Sequence, residues 1–186
     1  METNSLEDPE YIDLQTYLED IYVLDPPFDK VDKFLRHPEV SILGRQVRRI
    51  ARGLSLDIKS DIDVIVSSTV FNEYTQSSFS MISSPQRRKL KFKWSDITID
   101  CIVVPVNFEA MCENIVFSSL FSVEHAFLYK GQLKINSSIF QNYQQWYNLV
   151  LERKTKVVDL RTQHYFNDRA GQVKHAIKMH RKGWTF

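Results

Sequence analysis

Two short apolar segments that carry aspartates constrain this chain more than any other feature of its sequence. Residues 60–66 and 97–104 are mostly apolar and rich in β-branched side chains, which predicts two short buried strands. Successive side chains of a strand alternate between its faces, so Asp61 and Asp63 are expected to point the same way. Asp100 lies inside the second segment. An ionised carboxylate in an apolar strand is costly unless it is paired or binds a metal.

The three aspartates together predict a metal site. Converging carboxylates repel one another without a cation between them. Mg²⁺ prefers oxygen ligands and shares them with substrate phosphates, so we expect two Mg²⁺ ions at Asp61, Asp63 and Asp100 and a nucleotide as their partner. The alternative interpretation is that the three residues are solvated aspartates at strand ends.

The bulk composition is that of an ordinary globular protein. A chain of 186 residues with 43% hydrophobic and 25% charged residues has the size of one domain with a single core. No apolar run approaches the roughly 20 residues needed to span a bilayer. The acidic start lacks the features of a secretory signal, and Cys101 lies in a predicted strand, so we expect buried free thiols at Cys101 and Cys112 and a cytoplasmic protein.

The charge is distributed unevenly along the chain although the net charge is only +1. Residues 1–40 hold eleven Asp/Glu against three Lys/Arg, whereas residues 152–186 hold nine Lys/Arg against three Asp/Glu. This polarity is compatible with a partner that carries phosphate groups, such as RNA, and equally with two solvated faces of opposite charge.

Alternating and β-branched patterns predict five strands. They cover residues 40–43, 60–66, 87–94, 97–104 and 132–135. The segment 87–94 alternates basic and apolar residues, and a tight turn at Ser95-Asp96 would join it to the next strand as a hairpin. Lys89, Lys91 and Lys93 then form a cationic row that either binds nucleic-acid backbone or keeps an edge strand soluble.

Helical periodicity and capping residues predict six helices. The first begins at Asp8-Pro9 and ends at Pro26-Pro27; the others cover residues 29–36, 45–52, 107–128 with an interruption near Ser118, a segment capped by Ser137 or Ser138, and 167–182. The last helix is apolar at Ala170, Val173 and Ile177 and basic elsewhere. Residues 67–86 are rich in Ser, Thr, Asn and Gln and predict a surface loop or a weak helix.

Gly44 separates the first predicted strand from a helix that carries four arginines, Arg45, Arg48, Arg49 and Arg52. A glycine at such a turn lets a ligand approach the backbone, and free N–H groups at the start of a helix attract phosphate. The turn therefore predicts a phosphate site next to the aspartates, although a plain turn glycine fits the same pattern.

The order of these motifs resembles the DNA polymerase β-type nucleotidyltransferase superfamily, and most closely the head domain of CCA-adding enzymes and bacterial poly(A) polymerases. The similar motifs are Gly44-Arg45-Gln46-Val47-Arg48-Arg49 with Gly53, and Ser60-Asp61-Ile62-Asp63. A looser similarity covers residues 117–121 and 131–135, so the resemblance extends over residues 38–135. Arg45 stands where the superfamily has a small residue.

The resemblance implies an α+β fold, with a nucleotidyltransferase-like mixed β-sheet flanked by helices and a helical C-terminal portion. Residues 1–135 would form the catalytic domain, with an acidic helical segment at 1–37, and residues 136–186 a basic helical extension packed on the same domain. Asp61, Asp63 and Asp100 would be the catalytic and metal-binding residues, and Gly44, Arg45 and Arg48 would bind the nucleotide. The expected reaction moves a nucleoside monophosphate from an NTP to an acceptor hydroxyl and releases pyrophosphate.

Three functions fit this interpretation. The first is addition of nucleotides to an RNA 3′ end, with tRNA as the expected RNA. The second is a toxin-like nucleotidyltransferase that modifies tRNA or a protein hydroxyl. The third is a catalytically silent member of the fold that binds RNA or another partner, which Arg45 at the glycine turn favours.

Overall fold

The computed structural model describes residues 28–75, 81–83, 89–94, 97–158 and 169–186. Its helices are α1 (Phe28–Leu35), α2 (Arg45–Ala51), α3 (Ser68–Thr75), α4 (Phe108–Val116), α5 (Tyr143–Glu152) and α6 (Arg169–Arg181). Its strands are β1 (Val40–Ile42), β2 (Ile62–Ser67), β3 (Met81–Ser83), β4 (Lys89–Trp94), β5 (Ile97–Val104), β6 (Ala126–Tyr129) and β7 (Gln132–Ile135). The chain therefore has the expected α+β fold with a helical C-terminal portion.

Five strands form a mixed sheet in the order β1-β2-β5-β4-β3, and β6 and β7 form a separate hairpin. Strands β2 and β5 run parallel, while β1 pairs with β2, and β4 with both β5 and β3, in antiparallel fashion. The β2–β5 register places Asp63 directly beside Asp100. The two carboxylate-bearing strands are thus neighbours in the middle of the sheet.

The two faces of strand β2 are buried by different groups of side chains. Ile62, Val64 and Val66 belong to the main hydrophobic core, which also includes residues of α1, α2, α5 and α6. Ile65, one position out of phase, belongs to a smaller cluster. Its other buried members are Val104, Cys112, Val116 and Phe127. Because side chains alternate along a strand, Asp63 lies on the face of the smaller cluster.

Most of the predicted elements are present within one to three residues of their expected bounds. The five predicted strands correspond to β1, β2, β4, β5 and β7, and the helices predicted at 29–36 and 45–52 correspond to α1 and α2. Cys101 and Cys112 are buried free thiols, as expected. The helix predicted to begin at Asp8 and the turn at Ser95-Asp96 lie outside the described residues.

The predicted helix over residues 107–128 is wrong beyond Val116. The chain continues through a short 3₁₀ helix, Ser122–Glu124, into strand β6, which pairs with β7. Lys130 and Gly131 join the two strands with φ values of 49° and 76°. Positive φ at both positions of a two-residue loop is typical of a hairpin whose turn matches the twist of its strands. Residues Ala126–Tyr129 form a strand because they pair with Gln132–Ile135 across this loop. Helical periodicity in the sequence does not reveal such pairing.

Residues 67–75 and 81–83 hold more regular structure than the polar composition of residues 67–86 predicts. Helix α3 buries Val70 and Phe71 in the main core, and Met81–Ser83 forms a strand at the edge of the sheet.

The prediction that Ser137 or Ser138 caps the next helix is wrong. Helix α5 begins at Tyr143, and the Asn142 side chain caps it by accepting a hydrogen bond of 3.1 Å from the Gln145 N–H.

Helix α6 does not bury the apolar stripe that its sequence predicts. Val173 and Ile177 are 58% and 45% exposed, whereas Met179 is 3% exposed and lies in the main core.

Helix α5 packs against the part of the chain that precedes it. Its Trp146 indole donates a hydrogen bond of 2.9 Å to the Val123 carbonyl. No helix among the described residues is long and apolar enough to cross a membrane.

Candidate active site

The structure brings Asp63 and Asp100 together as register partners on two adjacent parallel strands. Both residues are partly exposed, and neighbouring strands of a sheet lie about 4.8 Å apart in the direction of their hydrogen bonds. Because partners in register share a face of the sheet, their carboxylates are neighbours and repel each other when both are ionised. Asp61 is exposed and lies immediately before β2, so the structure pairs two of the three predicted carboxylates within the sheet.

Gly44 lies against the Asp63 carboxylate. The Leu43 N–H donates a 3.0 Å hydrogen bond to the Asp63 carbonyl, and Gly44 then turns the chain into α2 with φ 73° and ψ −142°. This backbone conformation favours glycine strongly. A Cβ atom built on Gly44 would lie 3.4 Å from Asp63 Oδ2, so the absent side chain leaves open space beside that carboxylate.

The loop that leads to Asp61 is tied to helix α2. The buried Gln46 side chain exchanges two 2.9 Å hydrogen bonds with the Asp57 backbone. The Arg45 guanidinium forms a 3.1 Å ion pair with Asp57 and donates to the Ser60 hydroxyl. The Ser60 hydroxyl donates to Asp57 and, with other nearby donors, lowers the pKa of that carboxyl. Arg45, a predicted nucleotide-binding residue, therefore also holds the loop.

Arg48 is a cation in a confined place. Its Nη1 atom is buried and has no hydrogen-bond partner among the described residues, and its Cζ atom lies 5.2 Å from the centre of the Trp184 ring. Burial lowers the pKa of Arg48, while the negative charges of Glu124 and Asp63 raise it. A buried donor without a partner is costly, which makes Arg48 suited to an anionic ligand.

Two residues beyond α6, Lys182 and Trp184, lie near the glycine turn and were not among the predicted site residues. Burial lowers the pKa of Lys182, the charges of Lys178, Arg45 and Arg48 lower it further, and that of Asp63 raises it. Lys182 thus shares the surroundings of the glycine turn, as does Trp184 through its contact with Arg48. The only sequence signal was the basic ending of α6, and nothing local connects it to residues 44–63.

The carboxylate pair fits a hard divalent cation, but only as part of its ligand set. Among the described residues, no group of three or more His, Cys, Asp or Glu side chains is arranged to hold a metal ion. Mg²⁺ is commonly held by one or two carboxylates, water and substrate phosphates, and rarely by an all-protein cage. Two oxygen-bearing side chains in register match that mode of binding. The assignment of Asp61, Asp63 and Asp100 as metal ligands stays a prediction.

Comparison with solved structures identifies the fold. A CCA-adding enzyme in complex with CTP matches with a TM-score of 0.60 and 17% identity over 95% of this chain. The Thermotoga maritima CCA-adding enzyme in complex with tRNA matches with a TM-score of 0.56 and 18% identity over 91% of the chain. The Bacillus stearothermophilus CCA-adding enzyme in complex with CTP matches with a TM-score of 0.53 and 12% identity over 83%. No protein-family model matches the chain, and no curated protein matches its sequence at a significant level.

These similarities confirm the expected resemblance at the level of fold. The chain spans 43%, 40% and 39% of the lengths of the three matched chains, respectively. At identities below 20% the likeness concerns the arrangement of helices and strands. The function of the chain therefore depends on the chemistry of its own site residues.

Proposed function

We propose that the chain is a metal-dependent nucleotidyltransferase, which moves a nucleoside monophosphate from an NTP to the 3′ hydroxyl of an RNA and releases pyrophosphate. The observation that carries this proposal is the register pair of Asp63 and Asp100 beside the side-chain-free turn at Gly44. Arg48 and Lys182 lie near enough to Asp63 for its charge to raise their pKa values, and Arg45 follows Gly44 directly in the chain. Paired carboxylates next to cations suit a ligand that carries both metal ions and phosphates.

The residues of the chain would divide the work between holding metal and holding phosphate. Asp63 and Asp100, joined by Asp61, would hold Mg²⁺. The bound metal would neutralise phosphate charge and lower the pKa of the attacking hydroxyl. Gly44 leaves room for the triphosphate beside Asp63, and the Arg48 guanidinium would donate to a phosphate oxygen.

The reaction itself is an in-line displacement. The acceptor hydroxyl oxygen forms a bond to the α-phosphorus and loses its proton, while the bond from that phosphorus to the oxygen bridging the α- and β-phosphates breaks. Pyrophosphate leaves with that oxygen. No covalent intermediate with the protein is needed, so positioning and charge stabilisation supply most of the catalysis.

An RNA acceptor is supported by charge. Residues 152–186 carry nine Lys/Arg against three Asp/Glu. A shallow surface groove beside α6 is lined by Lys174, Ile177, Lys178, Arg181 and Lys182. Four cations along one groove suit the phosphate backbone of a nucleic acid. One matched structure, the Thermotoga maritima CCA-adding enzyme, contains tRNA, and tRNA is accordingly the acceptor that we propose.

The segment 136–186 is proposed to belong to the same domain as the catalytic part, as the sequence predicts. Trp146, Met179 and Trp184 lie in the same hydrophobic cluster as residues of β2 and α2. Phe186 contacts Phe121 with ring centroids 5.0 Å apart. A basic extension that shares the core can present its cations in a fixed position relative to the carboxylates.

A catalytically silent, RNA-binding protein is the second candidate function. It is favoured by the engagement of Arg45, a predicted nucleotide-binding residue, with Asp57 and Ser60. Such a protein would use the same cations to bind RNA and would not transfer a nucleotide.

Incubation with each α-³²P-labelled NTP, Mg²⁺ and either total RNA or a protein lysate distinguishes these functions. Label on RNA is the expected result. Label on protein would instead indicate a toxin-like transferase, and RNA binding without any label would indicate the silent alternative. Asp63→Asn should abolish labelling, while Glu113→Gln, an exposed carboxylate on α4, serves as the matched control and should label normally.

A further inference from the structure

The segment after α6 places an aromatic ring against the proposed nucleotide site. Gly183 adopts a φ of +88° and ends the helix, and the Trp184 N–H donates a 3.1 Å hydrogen bond back to the Met179 carbonyl. This hydrogen-bond pattern is typical of a helix end with glycine in a left-handed conformation. As a result, Trp184 turns inward and is only 8% exposed.

Hydrogen bonds hold the backbone on both sides of Trp184. Arg153 Nη1 donates a 2.8 Å hydrogen bond to the Lys182 carbonyl. Thr185 pairs with the turn after α5 through two backbone hydrogen bonds of 2.9 Å, one to the Arg153 carbonyl and one from the Thr155 N–H. Fixed backbone on either side of a buried side chain leaves that side chain little freedom, so the position of Trp184 is determined by the fold.

The face of this ring meets Arg48. The guanidinium carbon lies 5.2 Å from the ring centre, within the range in which an aromatic face attracts a cation. Arg48 follows Gly44 by one helical turn, and its buried Nη1 has no partner among the described residues. An arginine side chain has several rotatable bonds, and stacking on a fixed ring selects one orientation among them. The guanidinium is therefore pre-organised before any ligand arrives.

We propose that Trp184 is a positioning residue, which holds the Arg48 guanidinium in place to receive the triphosphate of the nucleotide. The inference rests on the proposed function and assigns a role in it to a residue far away in the sequence. Trp184 would not contact the nucleotide and would act only through Arg48. Its removal should therefore weaken nucleotide binding more than it slows the chemical step.

The test compares Trp184→Met with Phe186→Leu. Methionine keeps much of the bulk of the ring but lacks its π face, whereas Phe186 belongs to the same segment and contacts Phe121, not Arg48. We expect Trp184→Met to raise both the KM for the NTP and the calorimetric Kd for ATP with Mg²⁺ by about tenfold, with kcat changed less than about twofold. Trp184→Phe should restore binding to within about threefold of the wild type, and Phe186→Leu should bind as the wild type does.

A double-mutant cycle separates positioning from a general effect on folding. In an Arg48→Met background, Trp184→Met should weaken ATP binding no further, because the group that the ring positions is already absent. Tetrafluorotryptophan at position 184 offers a second route should Trp184→Met not fold. Fluorination keeps the ring shape, removes its negative face and should weaken binding by about fivefold.

Each outcome decides the inference. Wild-type affinity in Trp184→Met or in the fluorinated protein would overturn it, as would an equal loss in the presence and absence of the Arg48 side chain. A wild-type chain that binds ATP but transfers no label would refute the proposed activity alone, since the binding comparison still tests the role of Trp184. A wild-type chain that neither binds ATP nor transfers label would refute both.

Discussion

Replacement of Gly44 by alanine tests whether the turn beside Asp63 is a functional feature or an ordinary connection. At φ 73° and ψ −142° a residue with a Cβ atom is strained by about 1–3 kcal/mol. The loss of chain entropy in the unfolded state offsets about 0.4–1 kcal/mol of that strain. We expect a net loss of about 1–2 kcal/mol in the free energy of unfolding. For a chain of 186 residues this corresponds to a Tm lowered by about 2–8 °C.

Activity should suffer more than stability. The new Cβ would lie 3.4 Å from Asp63 Oδ2, where we propose that phosphate and metal meet. That distance is an ordinary van der Waals contact, so Asp63 need not move, and the methyl group would instead take space from the bound phosphate. A displacement on the order of 1 Å in a reacting group can cost about 100-fold in rate. We therefore expect kcat/KM for nucleotide transfer to fall by about 100-fold, equivalent to about 2.7 kcal/mol of transition-state stabilisation. The assay is incorporation of α-³²P-labelled nucleotide at 25 °C, with a thermal melt of the same samples.

Gly53→Ala is the matched control for this prediction. Gly53 has the same φ of +73°, but a Cβ there would meet nothing within 4 Å. It should lose about 1 kcal/mol of stability for the same backbone reason and keep kcat/KM within about twofold of the wild type. The reasoning is refuted if Gly44→Ala transfers nucleotide at the wild-type rate, or if both variants lose activity in proportion to their stability.

Three further predictions concern groups with defined surroundings. Asp63→Asn and Asp100→Asn should each abolish labelling in the incorporation assay, because each removes one carboxylate of the register pair that would hold Mg²⁺. Since the folded-state pKa of Asp57 is lowered, its contribution to stability is present above the ordinary value of 3.8 and is lost as pH falls through the lower folded-state pKa. Urea unfolding of Asp57→Asn and the wild type should therefore converge in acid. Burial raises the pKa of Cys101 and that of Cys112, the latter to about 12, so a thiol reagent should label neither until the chain is unfolded.

The carboxylate strands were predictable because their sequence conflicts with their surroundings. Asp63 and Asp100 each interrupt an apolar, β-branched run, and such a conflict is tolerated mainly where function requires it. The same argument did not fix the position of Asp61, which lies just outside β2 and is exposed. At the end of a strand the alternation of side chains no longer constrains a residue, so pattern alone does not place its carboxylate.

The elements after β5 were harder to predict because local pattern and tertiary pairing compete there. Residues Ala126–Tyr129 are apolar enough for a buried helix or a strand, and their pairing with Gln132–Ile135 decides for the strand. In helix α6 the helix itself is predicted correctly, but its buried face is not. Val173 and Ile177 follow a helical period and are exposed, whereas Met179 is the residue that is buried in the core.

Trp184 shows where prediction from a single sequence reaches its end. Its contact with Arg48 depends on three structural features. They are the left-handed turn at Gly183, the pairing of Thr185 with the turn after α5, and the position of α2, which begins directly after Gly44. None leaves a periodic or capping signal near residue 184 that points to residue 48. The carboxylates can be found from their local cost, and the turn at Gly44 with its arginines can be found from the glycine between a strand and a basic helix. Lys182 and Trp184 reach the proposed nucleotide site from the other end of the chain, so their part in it is visible only in the fold.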